Sequence, residues 1–114
     1  MIDAESFAHE WIAGWNARDL DAILAHYADD VVFSSPLAQK ITGAPRVVGK
    51  TALRAYWRAA LDRGEPLNFE LERVYAGADW LTIAYIRNGQ TRVAETLEFE
   101  DGHVVRGYVA HAPM

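Results

Sequence analysis

The chain has 114 residues, half of them hydrophobic and a quarter charged, which is enough for one globular domain and excludes a disordered or low-complexity chain. Sixteen acidic residues against eleven basic ones give a net charge of −5, which disfavours nucleic acid and a polybasic membrane surface as partners. The absence of cysteine excludes disulfides, thiol catalysis and cysteine-ligated zinc, while four Trp, five Tyr and four Phe point either to a bulky core or to a cavity with aromatic walls.

The first segment reads as a helix. Phe7, Trp11 and Trp15 recur every four residues with Ala8 and Ile12 beside them, and Asp3 is placed to cap the start. Asn16-Ala17-Arg18-Asp19 breaks the pattern. Asp19 then caps a second helix in which Leu20, Ile23, Leu24 and Tyr27 share a face. Val31 to Ser35 reads as a short strand stopped by Pro36, because proline cannot donate to a ladder. Residues 36–48 carry two prolines and Gly43 and read as a loop at a rim or lid. A third helix follows Gly49, with Leu53, Tyr56, Trp57, Ala60 and Leu61 on one face. Gly64 and Pro66 end it.

The remainder reads as strands: Leu67 to Tyr75, Trp80 to Arg87, Thr91 to Glu100 and His103 to Ala112. Asn88-Gly89 and Asp101-Gly102 supply the positive φ angles of tight hairpins. The expected architecture is α+β, a curved antiparallel meander with one early strand added and the helices gathered on one face. One domain spans 1–114. No stretch is apolar for the roughly 20 residues that a bilayer requires, and the N-terminus lacks a basic region followed by an apolar run, so a cytoplasmic location is expected.

Two residues break the apolar faces. Strand side chains alternate, so Val93, Glu95, Leu97 and Phe99 face one way, with a carboxylate in the middle of an otherwise apolar row. A buried carboxylate must be paired, hydrogen-bonded, protonated or turned to a wet cavity. On the last strand Val105, Gly107, Val109 and His111 share a face. Adjacent strands bring Glu95 and His111 to one cavity, where mutual attraction would raise the histidine pKa and lower that of the carboxylate. Such a pair suits proton transfer near neutral pH, and a structural hydrogen-bonded pair remains the alternative. Trp11, Trp15, Phe33, Tyr56, Phe69 and Tyr85 are the candidate walls, and Phe7, Trp57, Trp80 and Phe99 the core packing. Ser35 either points at the cavity mouth or serves the turn before Pro36. No histidine spacing, phosphate loop, nucleophile elbow or dinucleotide fingerprint indicates a metal or cofactor, and none is expected.

Three phrases, Trp15-Asn16-Ala17-Arg18-Asp19-Leu20-Asp21, Tyr27-Ala28-Asp29-Asp30-Val31 and Gly49-Lys50-Thr51-Ala52-Leu53-Arg54-Ala55-Tyr56-Trp57, follow one another in an order of elements that resembles the nuclear transport factor 2-like superfamily. The likeness is strongest to its SnoaL-like and ketosteroid-isomerase-like members and covers essentially the whole chain. It implies a cone, the cystatin-like α+β barrel, in which the sheet wraps three N-terminal helices round an apolar pocket. It also implies a homodimer through the outer sheet face, which here would hold Arg92, Ala94, Thr96, Arg106 and Tyr108. The ketosteroid isomerases use a tyrosine donor, a general-base aspartate and a protonated aspartic acid. Those positions fall at Trp11, Ser35 and Glu95, and only Glu95 keeps a carboxyl group, so steroid isomerisation by that route is not expected. The superfamily holds isomerases, cyclases, dehydratases and non-catalytic binding domains. The resemblance therefore implies an apolar small-molecule ligand. Two readings stay open: cofactor-independent acid–base chemistry by Glu95 with His111, or a binding or interaction module without chemistry.

Overall fold

The structure is a computed structural model and describes residues 2–114. Helix α1 (Ala4–Asn16) starts where Asp3 accepts a hydrogen bond from the Ser6 backbone N–H at 3.1 Å, and it buries Phe7, Ala8, Trp11, Ile12 and Trp15. Asp19 likewise accepts from the Ala22 N–H at 3.1 Å and opens α2 (Leu20–Leu24). Tyr27 does not continue that helix. It begins β1 (Tyr27–Ser34), which is longer than the apolar run alone indicates, because Asp29 and Asp30 lie on an exposed stretch of the same strand.

The segment 36–48 is not a loop. Pro36 opens α3 (Pro36–Thr42) at its first turn, where a missing N–H costs nothing, and Ser35 caps it by accepting from the Leu37 N–H at 3.1 Å. Gly43 closes it with a φ of 84°, and β2 (Arg46–Val48) returns antiparallel to β1. Helix α4 (Lys50–Asp62) buries Leu53, Tyr56, Trp57 and Leu61. The described residues therefore form four helices, with α3 the addition to the three expected.

Strands β3 (Phe69–Ala76), β4 (Trp80–Arg87), β5 (Thr91–Glu100) and β6 (His103–Pro113) form the expected antiparallel meander. The six-stranded sheet runs β2-β1-β6-β5-β4-β3 and is curved and unclosed. One pair is parallel: β1 lies beside β6, with Phe33 opposite Gly107. A bulge between Glu98 and Phe99 shifts the register, so Val104 rather than Val105 points into the core. The helices cover the concave face, and the core runs between them and the sheet. On the outer face Arg92, Ala94 and Tyr108 are exposed, while Thr96 and Arg106 are partly covered. Trp80 is also exposed there, at 52%, and is not core packing; it lies one residue out of phase with the inward row Leu81, Ile83 and Tyr85. Among the described residues no helix is long and apolar enough to cross a membrane.

Candidate functional site

Alternation on three adjacent strands builds one wall of a cavity. Glu95 on β5 stands opposite Ile83 on β4 and Val109 on β6, and His111 stands one step further along β6, opposite Val93. The opposite wall comes from the helices, through Trp15 of α1, Leu37 of α3, and Tyr56 and Trp57 of α4. The cavity is about 290 Å³ and is open in part to solvent, with exposed Lys40, Arg63, Glu65, Pro66 and Gln90 in its lining. Of the expected residues, Trp15, Phe33, Ser35, Tyr56, Phe69, Tyr85, Glu95 and His111 line it together.

Trp11 does not line it. Its ring packs behind the wall, 6.1 Å from Phe69 and 5.6 Å from Tyr85, and its Nε1 donates to the Tyr27 hydroxyl at 3.2 Å. A stripe at helical spacing turns by successive steps, so Trp11 faces the buried core while Trp15, one turn on, reaches the cavity. Trp57, expected as core packing, lines the cavity while packing edge-on against Trp15 at 4.8 Å.

Glu95 is 3% exposed, and the Tyr85 hydroxyl donates to its Oε1 at 2.9 Å. Burial pushes the carboxyl up from its ordinary value to about 8, and the Tyr85 hydrogen bond offsets only part of that rise. At neutral pH Glu95 is therefore mainly protonated and can donate. Burial raises Tyr85 well above the ordinary phenol value, and the Glu95 carboxylate beside it adds to the effect. Tyr56, raised chiefly by burial, donates to Ser35 Oγ at 3.5 Å. Ser35 lines the cavity, and its hydroxyl caps α3 instead of serving a turn before Pro36.

No hydrogen bond or ion pair joins Glu95 to His111, and the expected mutual pKa shifts are reversed. His111 is held below the ordinary imidazole value, first by burial and then by the Arg87 guanidinium. Two uncharged groups share the space: a carboxylic acid that can give a proton and an imidazole that can take one. The Trp15 indole Nε1 is buried without a hydrogen-bond partner. Arg87, Lys40 and Arg63 also line the cavity and were not singled out from the sequence. The signal for Arg87 was present, since it continues the inward row of Leu81, Ile83 and Tyr85. Among the described residues no three carboxylate or imidazole groups cluster as a metal site would require.

The family model for the SnoaL-like domain matches residues 8–107. A SnoaL-like protein of unknown function from Burkholderia thailandensis is 41% identical over 96% of this chain and 93% of its own, with a TM-score of 0.90. A nuclear transport factor 2-like protein of unknown function from Burkholderia pseudomallei shares the fold at 14% identity, covering 98% of this chain and 92% of its own, with a TM-score of 0.82. A candidate polyketide cyclase from Sinorhizobium meliloti does so at 17% identity, covering 92% and 94%, with a TM-score of 0.75. No functionally curated protein matches the sequence. The chain belongs to the SnoaL-like branch of the nuclear transport factor 2-like superfamily.

Proposed function

We propose that the protein binds an apolar small molecule in this cavity and performs cofactor-independent acid–base chemistry on it, of the isomerase, cyclase or dehydratase kind. The observation that carries the reading is a carboxylic acid kept neutral by burial on the same cavity wall as a neutral imidazole. In this scheme a ligand carbonyl accepts a hydrogen bond from the Glu95 carboxyl. His111 removes a proton from the adjacent carbon, and the Glu95 hydrogen bond stabilises the enolate that forms. The proton then returns to carbon from the imidazolium, at the same or a conjugated position. Trp15, Phe33, Tyr56, Phe69 and Tyr85 hold the apolar body and exclude water.

2-Tetralone is a suitable probe, because it is apolar, bicyclic and carries exchangeable protons beside a ketone. Proton NMR in D2O is expected to show faster exchange with the wild-type protein than with either Glu95→Gln or His111→Gln. Exchange that is equally fast in both variants removes these residues from the chemistry.

A second reading is a binding protein without chemistry. It is favoured by Ser35, which stands where the isomerases have a base and whose hydroxyl is engaged in capping α3. Saturable binding of 2-tetralone with no acceleration of exchange selects it. Homodimerisation through the outer sheet face, around Arg92, Ala94, Thr96, Arg106 and Tyr108, belongs to both readings. Light scattering on Tyr108→Glu against the wild type tests it.

A further inference from the structure

The proposed acid–base pair leaves the Arg87 guanidinium of the cavity lining without a role. The inward row of β4 is apolar at Leu81 and Ile83, then carries the Tyr85 hydroxyl, and ends in Arg87. Arg87 is partly buried and among the described residues makes no ion pair, whereas Arg54, Arg63, Arg92 and Arg106 each hold a carboxylate. The other arginines without an ion pair (Arg18, Arg46, Arg58 and Arg73) are all exposed, where water solvates them. Partial desolvation of a guanidinium without a counterion is unfavourable. In a chain with more acidic than basic residues, a carboxylate partner is not scarce.

The electrostatics of the lining agree. Its two acidic residues are Glu65, which pairs with Arg63 at 3.2 Å, and Glu95, which is mainly neutral at pH 7. Lys40 and Arg87 remain as uncompensated positive charges. The Arg87 charge is felt inside the cavity, where it disfavours protonation of His111 and of the Tyr56 and Tyr85 hydroxyls. Arg87 stands opposite Thr91, four residues from Glu95 on β5, which separates the two levels by about 13 Å of strand. A guanidinium fork at one end and a carboxyl donor at the other define a site with two polar poles and aromatic walls between them.

We propose that Arg87 is the specificity determinant of the cavity: it anchors a carboxylate at the mouth, while the ligand's apolar body runs inward and places an oxygen at Glu95. This rests on the cavity being a small-molecule site. The cognate class is an aromatic or polycyclic acid with a carbonyl or hydroxyl at the end remote from its carboxylate.

6-Hydroxy-2-naphthoate and its methyl ester differ only at the group assigned to Arg87. Calorimetric titration of both into the wild-type protein is expected to show at least tenfold tighter binding of the acid. Arg87→Gln is expected to abolish that preference by weakening the acid more than the ester, and Arg87→Lys to keep part of it. Arg73→Gln, at an exposed arginine, is expected to change nothing. Equal binding of acid and ester by the wild type, or a preference that survives in Arg87→Gln, overturns the role of Arg87 and leaves the small-molecule site standing. Should neither compound bind, both the anchor and the apolar-ligand site are rejected. Added salt weakens the acid and not the ester if the anchor is ionic, a readout that needs no variant.

Discussion

The Tyr85 hydroxyl donates to Glu95 Oε1 at 2.9 Å, and among the described residues this is the one side-chain hydrogen bond that the buried carboxyl makes. It favours the charged form, yet burial outweighs it and leaves the carboxyl at about 8. Tyr85→Phe therefore removes the opposing influence, and the Glu95 midpoint is expected to move above 8. A 13C NMR titration of the side-chain carboxyl measures it. A midpoint that stays or falls contradicts this balance. The lost hydrogen bond is also expected to lower stability by about 1 kcal/mol at neutral pH.

The same shift makes stability depend on pH. Below pH 4.5 Glu95 is protonated in both the folded and unfolded chains, and its contribution is constant. Between 4.5 and about 8 the unfolded chain ionises freely while the folded protein keeps its proton, so stability falls as pH rises. Above about 8 both states are ionised and the slope ends. The total fall is on the order of a few kcal/mol, since each unit of pKa difference is worth about 1.4 kcal/mol. Glu95→Gln is expected to flatten this part of the urea-midpoint profile and to leave the variant more stable than the wild type at pH 9. A variant profile parallel to that of the wild type assigns the dependence to other groups.

Much of this arrangement was legible in the sequence, and the failures have physical causes. Glu95 stood out because alternation is a local property, and a carboxylate in an apolar row is conspicuous whatever the sheet does around it. The Asn88-Gly89 and Asp101-Gly102 hairpins were legible because their positive φ angles are built into those residue pairs. Helix α3 is hidden because seven residues are too few to show a period, and a proline after an apolar run marks a strand end as readily as the helix start it is here. Arg87 is inconspicuous because an arginine at a strand end ordinarily meets solvent. The reversed titration of Glu95 and His111 follows chiefly from burial, with the Arg87 guanidinium adding to it at His111, and burial depends on the assembled sheet.

Gly107 is where β6 passes under Phe33. A Cβ there would lie 2.9 Å from Phe33 Cδ1 and 3.3 Å from Leu97 Cδ2. The Phe33 ring has little room to yield, since it packs against Tyr56 and Trp57 at 6.2 and 5.4 Å. Gly107→Ala is expected to destabilise the protein by about 1–3 kcal/mol through overpacking. Chemical denaturation measures it, and a neutral result means that the ring moves freely.

Asn16 joins the end of α1 to the edge strand. Its Oδ1 accepts from the Phe69 N–H at 2.8 Å and its Nδ2 donates to the Phe69 carbonyl at 3.0 Å, as a neighbouring strand would. Asn16→Ala is expected to cost about 1–2 kcal/mol and to speed hydrogen exchange at the Phe69 amide more than at the β5 amides. Uniform acceleration along the sheet would show that the contact acts only through global stability.

The parallel seam between β1 and β6 joins the earliest strand to the latest. Val109 and His111 on β6 complete a cavity whose helical wall is already fixed by α1 and α4. The β3–β4–β5–β6 hairpins can zip locally, but the seam needs closure of a loop that spans most of the chain. Long-range pairing of this kind slows folding. The cavity is therefore complete only where the two ends of the sheet meet, and a fragment lacking either β1 or β6 loses part of its wall: Phe33 in one case, Val109 and His111 in the other.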